Sequence, residues 1–405
     1  MAPLPRPQPC RGPFFPPEPA ALLSGCGVPD AGLSLQLHDR TDLPMSVTGQ
    51  ISWRPGQLMA PGRNLEALGK NTEDPPEPAG ESPGREVRVT PVELRRVLGS
   101  PEAVSVLRWL AARRRHRIAT AGTDGEPDVV ERFTYCEPVD AEELRAEISD
   151  PRLQALVDCG AAVVIDGWAV ALLSLRYLRG VAIAYPQAQR PDGNEVYLGT
   201  GGFWLMQLAF RYGSPGDTAA DLATGTGLVA VALSARYDRV VAVDLLPEAV
   251  RTARLTLDIN ASQITSTGAA VMDVAAGLRD GVFDLVVANP PWVPDAIGTD
   301  GENQTVYAAG GPTGMELPAR FIEEAGRLLA PGGTAIILVL DGTWDDGRRP
   351  LDEQCDLLRD RGFEIVDVVP APPAVWGEAA TKRLTEYAPN CTAGSVVALV
   401  FRRPC

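Results

Sequence analysis

The sequence has 405 residues, 45% of them hydrophobic, and a net charge of −15. That is enough for a sizeable core and about two domains, while the acidic balance disfavours a broad duplex-binding surface, which needs Lys and Arg against phosphates. No run approaches the roughly 18 uninterrupted apolar residues of a membrane span, and Met1–Pro7 lacks the charged-then-apolar layout of a secretory leader. The seven cysteines are scattered, odd in number and without a CxxC pair, which argues against a disulfide framework or a zinc site and for reduced thiols in a cytoplasmic protein.

Residues 1–85 hold 16 of the 37 prolines. Arg6–Pro19 and Glu73–Gly84 lack helical or strand periodicity, so a disordered tail is expected, with a docking segment as the alternative; Met45 within it is a second candidate start. Thr90-Pro91-Val92-Glu93 combines a capping residue, a first-turn proline and an acid, and so opens a helix. Gly99-Ser100-Pro101 divides the apolar pattern that follows into two short helices. The basic run Arg113–Arg117 is read as the solvated end of the second, where positive charge suits the helix dipole; a contact to RNA or an anionic substrate is the alternative. Helices over Asp140–Ile148 and Pro151–Asp158 then precede two apolar runs, Ala161–Ile165 and Trp168–Leu175, around an Asp166-Gly167 turn. Helices followed by a hairpin predict a small winged-helix-like domain over 86–195, a candidate substrate-recognition unit.

From about 196 to 405 strands and helices alternate, the pattern of an α/β fold with helices on both faces of a parallel sheet. Seven strands are expected, at 218–223, 239–243, 269–272, 283–288, 334–340, 364–369 and 395–401, with helices at 203–212, 226–237, 247–260, 315–330 and 352–361. No long crossover helix separates the last two strands, which predicts an antiparallel terminal pair. Residues 370–394, with Trp376, Lys382, Arg383 and Tyr387, form an insertion read either as a substrate lid or as a surface excursion.

Three segments carry chemistry. Asp221-Leu-Ala-Thr-Gly225-Thr-Gly227 ends a strand and enters a helix, where glycines let a ligand approach the backbone. Gly225-x-Gly227-x-x-Ala230 also fits a dinucleotide fingerprint, so a nicotinamide-dependent oxidoreductase stays open at this point. Asp244 ends the next strand, where a carboxylate can accept both hydroxyls of a ribose, and Asp273 follows the third, where one can accept from an adenine amino group. Asn289-Pro290-Pro291-Trp292 follows the fourth. There the Asn289 side-chain oxygen and a neighbouring carbonyl can accept from an NH2 group and aim its lone pair at a methyl donor. Pro290 and Pro291 restrict the backbone, and Trp292 offers an aromatic face to a planar group. The only histidines, His38 and His116, lie far upstream, so any chemistry here runs without a local histidine base.

Taken together, Asp221–Gly227, Asp244 and Asn289–Trp292 resemble the class I S-adenosylmethionine-dependent methyltransferases, in the branch with an Asn-Pro-Pro-aromatic motif (HemK-like, actinobacterial type). That branch methylates glutamine amides of release factors and ribosomal proteins, or exocyclic amines of adenine and guanine. Tyr307-Ala-Ala-Gly-Gly311-Pro-Thr-Gly314 is similar to a Gly-Gly-x-x-Gly loop of its glutamine-methylating members, and Leu198-Gly-Thr-Gly-Gly202 to a segment preceding their cofactor loop. The resemblance implies a seven-stranded Rossmann-like sheet. It implies S-adenosylmethionine held by Asp221, Ala223, Gly225, Gly227, Asp244, Leu245, Asp273 and Asn289, and an acceptor nitrogen held by Asn289, Pro290 and Trp292. Two departures stand out: Ala223 replaces the first loop glycine, and the Arg-Pro-acid pattern of release-factor enzymes is missing before the loop.

The expected function is therefore methyl transfer to an amide or amino nitrogen, foremost of a protein glutamine, with no metal and no membrane. A small-molecule N- or O-methyltransferase, an RNA base methyltransferase and a catalytically silent cofactor-binding module are the alternatives.

Overall fold

The computed structural model describes residues 92–121, 127–178, 180–186, 196, 198–264, 266–294, 309–377 and most of 381–405, with two strand fragments before them. Those fragments, β1 (Gln50–Ser52) and β2 (Glu86–Arg88), pair antiparallel. The rest of the expected tail, with Met45 and His38, lies outside the described residues, as do Tyr307, Arg383 and Tyr387.

Helix α1 (Leu94–Leu98) begins after Glu93 in extended conformation, later than the Thr90-Pro91 signal predicts. After the Gly99 break, α2 (Pro101–Ala121) runs for 21 residues. The basic run Arg113–Arg117 thus sits inside a helix rather than at its end, because carboxylates packed against that face neutralise it. Arg113 bonds to Asp128 and Glu147, Arg114 to Glu131, and Arg117 to Asp128 and Glu131. One of these acids, Glu131, belongs to a helix that sequence reasoning missed, α3 (Val129–Thr134), and another, Asp128, caps its first turn by accepting from the Glu131 N–H.

A short strand, β3 (Val139–Asp140), leads into α4 (Ala141–Ile148), capped by Asp140 accepting from the N–H groups of Glu142 and Glu143. Helix α5 (Asp150–Asp158) ends just before Gly160, whose φ of +79° is the left-handed stop that glycine allows. Strands β4 (Ala162–Ile165) and β5 (Trp168–Ala171) form the expected hairpin, with Asp166 and Gly167 both at positive φ. The second apolar run is not one strand, however. It breaks at Leu172, whose N–H bonds to the Ala161 carbonyl, and continues as β6 (Leu173–Leu178), which pairs in a separate sheet with β7 (Val181–Pro186).

Next come α6 (Thr200–Tyr212), β8 (Gly216–Leu222), α7 (Leu228–Leu233), β9 (Tyr237–Asp244), α8 (Pro247–Ile259), β10 (Ser266–Val271) and β11 (Phe283–Ala288). The chain ends with α9 (Glu316–Leu328), β12 (Leu329–Trp344), α10 (Pro350–Asp360), β13 (Glu364–Pro370) and β14 (Cys391–Arg402). The seven strands β8 to β14 form one mixed α/β sheet in the order β10-β9-β8-β11-β12-β14-β13; β13 and β14 are the antiparallel terminal pair the sequence predicts, and β14 also runs antiparallel to β12. Strand order reverses between β8 and β11, and in such sheets ligands bind outside the carboxyl ends of the strands at that switch.

Helix α8 serves two cores. One of its faces covers the sheet, while Leu255 and Ile259 join the apolar cluster built from residues 92–184. The Asn260 side chain accepts from the Ala182 N–H and donates to the Ala182 carbonyl at 2.7 Å, tying β7 to the end of α8. Such buried polar groups must be bonded, so this pair fixes the register between hairpin and helix.

Candidate functional site

The sheet register assembles the site. Ala288 of β11 lies beside Leu222 of β8, and Leu222 beside Val243 of β9. The residues that follow these three, Asn289, Ala223 and Asp244, therefore leave adjacent strands at one edge.

The loop after β8 is folded by its own sequence. Ala223, Gly225 and Gly227 all take positive φ, at +55°, +51° and +78°. At Ala223 the substitution for glycine holds an L-residue in the left-handed region, which costs roughly 1–2 kcal/mol. Gly227 is obligatory for a second reason: a Cβ there would lie 2.9 Å from the Ala253 backbone on α8. A Cβ on Gly225 would meet nothing within 4 Å, so the backbone here faces open space.

Asp221 lies beneath the loop, 2% exposed. Its Oδ2 accepts from Thr224 Oγ1 at 2.6 Å and from the Ala230 N–H at 3.0 Å. The carboxylate is thus spent on the loop's shape, joining its two limbs. Burial pushes its pKa up to about 7, against the pull of those two bonds and with a further push from Asp244. Asp244 at the end of β9 accepts from the Gly225 and Leu246 N–H groups. Burial raises its pKa too, opposed by backbone N–H bonds from Leu246, Gly225 and Leu245. Leu245, next to it, is a large apolar side chain left 57% exposed. Asp273, two residues beyond β10, is exposed and ion-paired to Arg320 at 2.8 Å, a partner 47 positions away that no local signal announces.

On the other side, Asn289 Oδ1 faces the Trp292 indole N–H at 3.4 Å, a long and weak contact. The first turn of α6 lies over Asn289: a Cβ on Gly201 would come 3.2 Å from its Nδ2. The glycines at 310, 311 and 314 are explained by packing. A Cβ on Gly310 would meet the Trp292 Cα at 2.7 Å, and one on Gly314 would clash with the Trp292 carbonyl. The Gly310 N–H bonds to the Val293 carbonyl at 2.8 Å, and Val293 bridges Ala309. The loop therefore clamps the backbone that follows Pro291. Trp376, from the segment after β13, meets Trp292 edge to face, with ring centroids 5.5 Å apart.

No group of three or more His, Cys, Asp or Glu able to hold a metal occurs among the described residues, and no helix among them is long and apolar enough to cross a membrane. The geometry offers a half-buried carboxylate, Asp244, beside an open glycine backbone and an exposed apolar side chain. One strand away it offers a side-chain amide flanked by an aromatic face.

Residues 205–343 match the family model of the methyltransferase small domain. The release factor glutamine methyltransferase of Mycolicibacterium smegmatis is 33% identical over 33% of this chain and 50% of its own length. That of Deinococcus radiodurans is 32% identical over 34% and 51%. A 4-amino-L-phenylalanine/4-methylamino-L-phenylalanine methyltransferase of Streptomyces pristinaespiralis is 30% identical over 33% and 47%. The chain thus spans about half the length of the curated relatives it matches.

Proposed function

We propose that this chain, whose residues 205–343 match the methyltransferase small domain, is a class I S-adenosylmethionine-dependent enzyme that methylates a planar amide nitrogen, with a protein glutamine side chain as acceptor. The observation that carries this reading is the register placing Asn289, the glycine loop and Asp244 on neighbouring strands at one edge.

The residues present fit the cofactor. Asp244 is placed to accept from ribose hydroxyls, the exposed Leu245 to cover an adenine ring, and the open backbone at Gly225 to admit the methionine portion. Asp273, shared with Arg320, is the candidate for the adenine amino group, and Asp221 acts by holding the loop. When bound, the cofactor supplies an activated methyl group on a good leaving group.

The protein's own part is orientation. The Asn289 side-chain oxygen and the Pro290 carbonyl accept the two N–H bonds of the acceptor, and Trp292 packs on its planar face. The lone pair is then directed rather than delocalised, and such positioning supplies much of a barrier reduction. With the methyl group supplied by the bound cofactor, the nitrogen held by Asn289 and Pro290 would pass its surplus proton to water after transfer, so no base of high pKa would be needed. Support for a protein acceptor comes from the glutamine-methylating relatives. The internal pairing of Arg113, Arg114 and Arg117 leaves that run poorly suited to phosphates. The unpaired thiols among the described residues accord with a cytoplasmic enzyme.

A small aromatic amine is the second reading, favoured by the Trp292–Trp376 contact and by the Streptomyces relative. The test is transfer of labelled methyl from S-adenosylmethionine into a bacterial lysate, fractionated into protein, RNA and small molecules. Label in protein, recovered as N-methylglutamine, is expected. Label confined to RNA or small molecules would overturn the protein acceptor, and calorimetric binding of NAD in place of S-adenosylmethionine would overturn the cofactor.

A further inference from the structure

Strand β13 ends at Pro370 opposite Val397, and β14 begins at Cys391 opposite Trp344. The chain therefore leaves and re-enters the sheet at the edge that also carries Asn289. The segment between brings Trp376 back onto Trp292, at 5.5 Å and an interplanar angle of 72°. Behind them Leu340, Leu384, Ala388 and Cys391 form a small apolar cluster on which Trp292, Trp344 and Trp376 pack.

Within this cluster the indole nitrogens behave differently. That of Trp292 is turned to Asn289 Oδ1, whereas that of Trp376 is buried with no hydrogen-bond partner among the described residues. A buried indole N–H ordinarily finds an acceptor, because leaving it unbonded forfeits its hydration with no return. Trp344 carries a second such N–H, which stands 3.5 Å from where a Cβ on Gly342 of β12 would lie, and no ring contact among the described residues joins it to Trp292 as one joins Trp376.

We propose that Trp376 is a specificity-determining residue of the acceptor site, an inference that rests on the amide-methylating reading above. Its ring and that of Trp292 form a corner for a planar group, and its N–H donates to the acceptor's carbonyl oxygen. Asn289 Oδ1 holds only the long 3.4 Å contact from the Trp292 N–H and has room for a better donor, while the Trp376 N–H has no acceptor among the described residues, one ring apart. A primary carboxamide presents that pair, NH2 and C=O, on a single planar group. An arylamine presents only the NH2 and leaves the indole N–H unbonded, and a site built around a polar partner rejects the analogue that lacks it.

The experiment compares wild type with Trp376→Phe, which keeps an aromatic ring and deletes the N–H, on two probes, N-acetylglutamine methylamide and 4-aminophenylalanine. Trp344→Phe serves as the packing control, with thermal melting and calorimetric S-adenosylmethionine affinity measured throughout. For Trp376→Phe, kcat/KM on the carboxamide falls about tenfold while the arylamine rate stays within twofold and cofactor affinity is unchanged; Trp344→Phe leaves the ratio of the two rates unaltered. A Trp376→Phe enzyme that keeps the wild-type ratio overturns this assignment alone, as does an equal change in ratio in the Trp344→Phe control. A wild type that binds the cofactor and methylates the arylamine but not the carboxamide overturns the amide reading and this assignment with it; so does one that methylates neither.

Discussion

Asp221→Asn is expected to stabilise the protein at pH 8 and to flatten its pH dependence. The carboxyl group is 2% exposed and burial lifts its pKa from 3.8 to about 7. Because the native value lies above the unfolded one, the native state keeps a proton that the unfolded chain has already lost. The stability this group contributes is full below pH 3.8, declines as the pH rises toward 7, and is constant above that. With about 1.4 kcal/mol per pH unit, the fall between pH 5 and pH 8 is on the order of 3 kcal/mol. Asparagine cannot ionise, yet its amide oxygen can still accept from Thr224 Oγ1 and the Ala230 N–H. Its NH2 group must replace one oxygen, at a cost of about 1–3 kcal/mol if unbonded, and that cost does not vary with pH. Urea titrations of both proteins at pH 5, 6.5 and 8 isolate the effect. The stability difference, variant minus wild type, should grow by about 3 kcal/mol from pH 5 to pH 8. A difference that stays constant across this range would show that Asp221 is ionised in the native loop throughout, contradicting the reasoning.

Further substitutions probe other parts of the framework. Ala223→Gly removes a Cβ from a residue at φ +55° and should raise stability by about 1 kcal/mol in denaturant titration; a loss of stability would contradict the strain assigned there. Asn260→Ala strips both bonds from the Ala182 backbone and should cost roughly 2–3 kcal/mol, whereas a change under about 0.5 kcal/mol would mean that β7 is held by apolar packing alone. Gly310→Ala forces a Cβ to within 2.7 Å of the Trp292 Cα and should lower kcat at least about tenfold through displacement of the acceptor clamp, with calorimetric cofactor affinity retained. Wild-type kcat in a folded Gly310→Ala protein would remove the loop from any role in positioning the acceptor.

The seven-stranded sheet is legible in the sequence because each strand carries an apolar run bounded by turn residues, although Pro331-Gly332-Gly333, a break signal in the sequence, falls inside β12, which begins at Leu329 directly after α9. The antiparallel terminal pair is legible for a related reason, the missing crossover helix between Phe363 and Val396. The upstream half is harder to read. The run Trp168–Leu175 has no glycine or proline at Leu172 to mark the change of sheet, which comes from Leu173–Leu178 finding a new partner in Val181–Pro186. Helix α3 is too short for its periodicity to register, and its capping by Asp128 is the only local sign of it. At the site, Asp221, Ala223, Gly225, Asp244 and Asn289 can be placed on one edge from strand order alone. Gly201 over Asn289 and Arg320 on Asp273 cannot, since both contacts join segments whose approach is set only by the packed sheet.

The central claim is that Asn289 orients the nitrogen that receives the methyl group, and one measurement tests it directly. Single-turnover methyl transfer by Asn289→Ala, at saturating S-adenosylmethionine and with cofactor affinity measured in parallel, should fall by about 10²–10³ while the cofactor still binds as in wild type. Transfer at the wild-type rate with the cofactor bound would contradict the account.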